Sequence, residues 1–360
     1  PGFPPTPPAK VGPMPTTLPK PIRVRGAGDL YAAIPHLMGF HPAESLVVLV
    51  LKDHVISMTM RVDLPRPRHR GMLAAQLEAP LLEHGATDVI LVVVCPPCEH
   101  MPEELPHEPL VTALRHKLGG VGVEVVEAVW LPSCQKDAPW LCYLDVDCHG
   151  TLPDPQQSAV AAASAHEGHV TFESRAAMAA IAALDPPDAL ERRSALLDDL
   201  TTSSGEPDPG VELHRVRDAI DAVADRKGPL PDAEIVALAR ALAVPEVRDA
   251  SMAFATQARS RQAEHLWLEL TRSCPAPERA EPACLLAFYA YQRGDGGIAA
   301  IALDAAEESC PGHSLAKLLR AALSTAVPPD EMRELSKKYL DDARRLLAGS
   351  TQSSSGRSQS

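Results

Sequence analysis

The chain has 360 residues, a formal net charge of −13 from 34 Lys and Arg against 47 Asp and Glu, 45% hydrophobic and 4% aromatic content, and 36 prolines. It is too apolar to be disordered throughout and too acidic for general nucleic-acid binding, which needs clustered Lys and Arg. It lacks the run of about 18 apolar residues that a transmembrane helix requires, and its length predicts two domains.

Residues 1–19 are dense in proline, which removes backbone donors and fixes φ, so a tail with neither helix nor sheet is expected there. It has no apolar stretch or small-residue cleavage site of a signal peptide. Residues 20–155 read as an α/β domain. Gly26-Ala27-Gly28-Asp29 leads into a short helix through Leu37, with Asp29 as its expected cap and Gly39 and Pro42 after it. Ser45–Leu51 is a near-continuous apolar run of strand length, and Val55–Val62 alternates apolar with polar, so the two predict a hairpin. A helix over 71–84 follows, then a strand at 88–94, a helix at 108–118, a strand at 122–130 and a short edge strand near Trp140–Leu144. Strand–helix–strand–helix–strand predicts right-handed crossovers and a mixed, mainly parallel sheet flanked by helices.

From Gln156 the strand signal vanishes, and 156–346 reads as an all-α domain. Helices are predicted over 158–165, 174–184 and 188–200, along a Leu213, Val216, Ile220, Val223 face, and over 231–242 and 245–258. In 262–323, Leu286 and Tyr291 line one helix, Gly294 ends it, and Ala299, Leu303 and Ala306 line the next. Such small residues allow close packing of the kind found in tetratricopeptide-like hairpins. Residues 347–360 are rich in Ser and Gln and predict a second flexible tail. The eight cysteines are expected to be reduced thiols in the cytoplasm, because a chain of this size needs no disulfide staples.

Pro21 to Gly26, with Gly39-Phe40-His41-Pro42-Ala43-Glu44-Ser45 to Leu49, resembles the opening of an actinobacterial family catalogued as domain of unknown function 4192. Val62-Asp63-Leu64-Pro65, Tyr143 between Cys142 and Cys148 ahead of Gly150, and Arg293-Gly294-Asp295-Gly296 resemble later blocks, so the likeness spans about residues 18–325. It implies the fold and a cytoplasmic origin without naming a reaction. Members carry a Cys-Cys-Pro cluster where this chain has Cys148-His149-Gly150.

No G-x-S-x-G, P-loop or H-E-x-x-H is present, so the chemistry must come from looser constellations. Cys95 and Cys98, in a C-x-x-C at a strand's end, with Cys142, Cys148 and His149, are candidate ligands for a tetrahedral Zn²⁺. The alternative is buried thiols beside a surface loop. A redox role for the C-x-x-C is disfavoured, since Pro102 and Pro106 follow it where a helix would have to start. Gly26 and Gly28 with Arg25 could hold an anion, or serve only to start the helix. His36, His41, Glu44 and Asp63 could line a crevice as base and orienting carboxylates, or could simply set a turn. Arg66, Arg68, His69 and Arg70 read as a solvated basic turn. The expected function is a non-enzymatic binding or scaffold protein, its helical domain meeting a protein partner. The alternative is an enzyme or zinc-dependent protein with its site in the α/β crevice near Cys142–His149. Neither membrane nor general nucleic-acid partners are expected.

Overall fold

The computed structural model describes residues 12–14 and 26–356, apart from 53, 54, 102, 167 and 326. They group into two compact units, Pro1–Met178 with Leu323–Ala326, and Ala179–Ala322 with Val327–Ser360. The expected change from strand-bearing to helical sequence near 155 thus falls inside the first unit.

That unit carries strands β1 (Gly12–Met14), β2 (Ser45–Lys52), β3 (Val55–Asp63), β4 (Asp88–Val94), β5 (Glu124–Leu131), β6 (Pro139–Cys142) and β7 (His149–Thr151). They form one sheet in the order β1-β3-β2-β4-β5-β6-β7. The sheet is mixed and not mainly parallel: among the described pairs, β4–β5 is parallel and the others are antiparallel. The reason is where β2 sits. It folds back on β3 as a hairpin, then takes β4 along its other side. β3, β4 and β5 do run in one direction, as strand–helix–strand linkage requires, but β2 is wedged between the first two.

Helices α1 (Ala27–Met38), α2 (Arg70–Glu83) and α3 (Glu108–Gly119) cover this sheet. Leu73, Leu77 and Leu81 of α2 and Leu110, Leu114 and Leu118 of α3 share one core with Leu46, Val48, Met60, Leu91 and Trp130. On the opposite face Val47, Leu49, Val92 and Val129 are also buried, and the Tyr31 ring of α1 meets Trp140 edge-on at 5.4 Å. Burial on both faces explains why β2 and β4 read as unbroken apolar runs.

Two tail expectations change. Gly12–Met14 pairs antiparallel with β3, Pro13 opposite Met60. This strand lies at the sheet edge, where proline's missing donor costs no interior ladder bond. At the other end the last helix continues to Gly356, past the boundary expected at 347. Ser and Gln are adequate helix residues, and no proline follows Pro329.

The remaining helices are α4 (Ala159–His166), α5 (Arg175–Ala179), α6 (Pro187–Ser203), α7 (Pro209–Ala222), α8 (Asp232–Leu242), α9 (Pro245–Ser251), α10 (Ser260–Ser273), α11 (Ala280–Gln292), α12 (Gly296–Ser309), α13 (Ser314–Ser324) and α14 (Pro329–Gly356). Side-chain caps start several of them: Asp208 accepts from Gly210 N–H on α7, and Asp295 accepts from Ile298 N–H on α12. Every residue of α11 except the half-buried Glu281 is buried, which makes it the central helix of its unit.

Candidate functional site

The carboxyl ends of β3, β4 and β5 and the start of β2 lie along one edge of the sheet, because Ser45 is in register with both Asp63 and Val94, and Val94 with Leu131. Backbone bonds lock this edge: Leu64 N–H donates to Glu44 O at 3.1 Å, and Cys95 N–H to Leu131 O at 3.0 Å. Both α2 and α3 start here, so the positive ends of two helix dipoles face the same edge. Neither helix has a side-chain hydrogen bond at its N-cap.

Glu44, Arg70 and His107 meet at this edge. Glu44 is exposed and held at φ 47°, and His107, the residue before α3, at φ 60°. Among the described residues Asp137 is the other non-glycine at positive φ. Aspartate and histidine take that conformation more readily than most residues, while Glu does so at a cost of about 1 kcal/mol or more. His107 Nδ1 and Arg70 Nε are buried without a hydrogen-bond partner among the described residues. Burial, and then the Arg70 charge, push the imidazole below its ordinary range, while the Glu44 carboxylate pulls it back up. His107 is therefore neutral near pH 7, with one nitrogen able to accept a proton.

The wall of the site is built from the next residues along the chain. Trp130 Nε1–H donates to Cys95 O at 3.0 Å, and Cys98 Sγ–H to Glu104 O at 3.0 Å. Tyr143 Oη–H donates to Pro106 O, which ties the chain just after β6 to the residue before His107. Burial pushes the Cys95 thiol up to about 11, so it stays protonated and is no nucleophile as it stands.

The residues expected to act as one acid–base group are divided. Glu44 belongs to the face just described. Asp63 alternates to the other face, where it pairs with Arg61 at 2.6 Å. His36 is fully engaged: Nδ1 accepts from Thr171 Oγ1 at 2.8 Å and Nε2–H donates to Pro155 O at 2.9 Å. It is a neutral core histidine, with its pKa lowered chiefly by burial. His41 is lowered by burial and by neighbouring His36, and its Nδ1 has no partner.

The five expected zinc ligands are not assembled. Cys95 packs in the core with Trp130, whereas Cys142 lies opposite Val129, on the other side of the pleat. His149 is opposite Leu141, one residue out of phase with Cys142. Among the described residues no group of three His, Cys, Asp or Glu could hold a metal ion. Cys142 and Cys148 are neighbours across the β6–β7 turn, with Cys142 N–H donating to Cys148 O at 3.1 Å.

The glycines expected to cradle an anion serve packing. A Cβ on Gly28 would sit 3.3 Å from Thr151 O and 3.7 Å from Trp140 Nε1. Gly26 takes the N-cap place expected of Asp29, which lies in the first turn instead. Arg25 lies outside the described residues.

Sequence reading missed one arrangement in the helical unit. Cys284 Sγ lies 3.5 Å from His313 Nδ1, and His313 Nε2 lies 3.1 Å from Glu281 Oε1. Glu281 and Cys284 are one turn apart on α11, while His313 precedes α13, so no local spacing announces the trio. It has the order of a nucleophile–base–acid relay. The sulfur is sealed, though, and burial drives its pKa far up, so the two contacts tie α11 to the start of α13.

The model of a family described as domain of unknown function (DUF4192) matches residues 28–330. Neither the curated proteins nor the solved structures contain a match to the chain.

Proposed function

The chain belongs to the DUF4192 family, and we propose that its α/β unit binds a small anionic molecule at the carboxyl edge of the sheet, with Arg70, Glu44 and His107 as the contacting side chains. One observation carries this reading: two non-glycine residues, Glu44 and His107, stand at positive φ on the same edge, Glu44 at a cost in strain, beside buried polar atoms that lack partners among the described residues. Strain of this kind accumulates where geometry serves a ligand. Arg70 and the first-turn amides of α2 and α3 favour an anion. Glu44 rejects a bare anion and favours one that also presents a hydroxyl or amine. Neutral His107 supplies a proton acceptor, which makes the site competent for acid–base chemistry on that ligand.

Glycerol 3-phosphate carries both features and serves as the probe. It should raise the melting temperature of the full chain in a saturable way and more than inorganic phosphate does, and Arg70→Gln should remove the effect. An equal response from the Arg70→Gln chain would refute the reading.

The scaffold reading keeps one supporting observation. Ala287, Ala290, Ala299, Ala302 and Ala306 are all buried where α11 and α12 pack, as close helical hairpins require. On that reading the helical unit contacts a protein partner with a tetratricopeptide-like surface. A cytoplasmic setting is supported by eight free thiols.

A further inference from the structure

We propose that the helical unit holds a second binding site, independent of the sheet edge, for a small carboxylate with an apolar body. A cavity of about 390 Å³ opens where α6, α10 and the chain between α7 and α8 come together. That volume suits a ligand of one ring and a short tail. One part of its lining is apolar, from Val223, Leu230, Ile235 and Leu268.

Its charges are of two kinds. The two carboxylates are committed to the wall. Asp185 accepts from Arg193 Nη1 at 2.7 Å and from Ser273 Oγ at 3.0 Å. Glu269 accepts from Leu230 N–H at 2.7 Å and pairs with Arg226. The arginines are not all used. Arg272 lines the cavity, is exposed, and its side chain has no hydrogen bond or ion pair among the described residues, and Arg226 Nη1 is buried with no acceptor among them. Uncommitted charge at the mouth is therefore positive, and the floor is apolar. A carboxylate would pair with the Arg272 guanidinium while its apolar body covers Leu230 and Ile235.

Phenylacetate is the probe, measured by calorimetry on the full chain, with 2-phenylethylamine and acetate as controls. The Arg272 side chain has no partner among the described residues, so Arg272→Ala should melt like the parent chain. The proposal expects saturable phenylacetate binding, no binding of the amine, weaker binding of acetate, and a loss of about tenfold in affinity in Arg272→Ala. It is overturned if phenylacetate fails to bind at millimolar concentration, if the amine binds as well, or if Arg272→Ala binds phenylacetate as tightly as the parent.

Discussion

Glu44 and His107 are 63 positions apart in the chain, yet both stand at positive φ on one sheet edge, and the carboxylate of the first acts on the imidazole of the second. Glycine would adopt both conformations without strain.

Replacing Glu44 with glycine should therefore stabilise the fold by about 1 kcal/mol while weakening ligand binding. Urea denaturation of Glu44→Gly against the parent chain measures the first effect. A lower urea midpoint for the variant would mean that the strain has a structural purpose.

Acid should weaken the α/β unit. Burial lowers the pKa values of His36, His41, His84 and His107, so each is held neutral in the folded chain. The unfolded chain binds protons more readily as pH falls below about 6.5, so stability is full above that pH and declines below it. Urea midpoints at pH 7.5 and pH 5 should show the decline, and His36→Gln should reduce its size. A midpoint that rises on acidification would contradict the assignment.

Gly150→Ala should be among the more damaging single-methyl changes. The new Cβ would lie 2.9 Å from three atoms of the Trp140 indole, which is itself packed on Tyr31. Overpacking of this type costs about 1–3 kcal/mol. A melting temperature equal to the parent's would show that Trp140 moves freely.

Arg193→Met should destabilise the helical unit by about 3 kcal/mol, because it leaves Asp185 and Asp232 without their shared cation. Arg193 is nearly buried, with 2.7 Å contacts to both carboxylates and a 3.0 Å bond to Ser273 O. Chemical denaturation measures the loss, and a change under about 0.5 kcal/mol would assign the network to the surface class.

Mild oxidation by a disulfide reagent should join Cys142 to Cys148, the two thiols that face each other across a turn, and leave Cys95 and Cys98 unbridged to them. Peptide mapping by mass spectrometry reads the linkage. A Cys95–Cys142 bridge would contradict the placement of those residues on opposite faces.

The fold was largely legible because its signals are local. Asp88–Val94 was expected as a strand and is one, and the α3 helix differs from its expectation by one residue at the end. What sequence could not show was adjacency. Whether β2 would end up beside β3 alone, or between β3 and β4, depends on which edge the α2 crossover returns to, and no residue in either strand records it. The site was partly legible for the same reason. Glu44 was visible beside its strand. Arg70 read as part of a solvated basic turn, and His107 carried no pattern at all, because its role depends on a backbone angle and on a neighbour far along the chain. The cysteines misled in the opposite direction. The C-x-x-C with a later Cys and His suggested a zinc centre, but the period of two along β4 and β6 sends Cys95 and Cys142 to different faces.

The central claim is that Glu44, Arg70 and His107 form one ligand site, and nitrogen-15 NMR of the labelled histidine side chains during a glycerol 3-phosphate titration tests it most directly. The His107 imidazole signals should move saturably while those of His36 stay fixed, and Arg70→Gln should abolish the movement. His107 signals that stay still throughout, or that move equally in the Arg70→Gln chain, would contradict the claim.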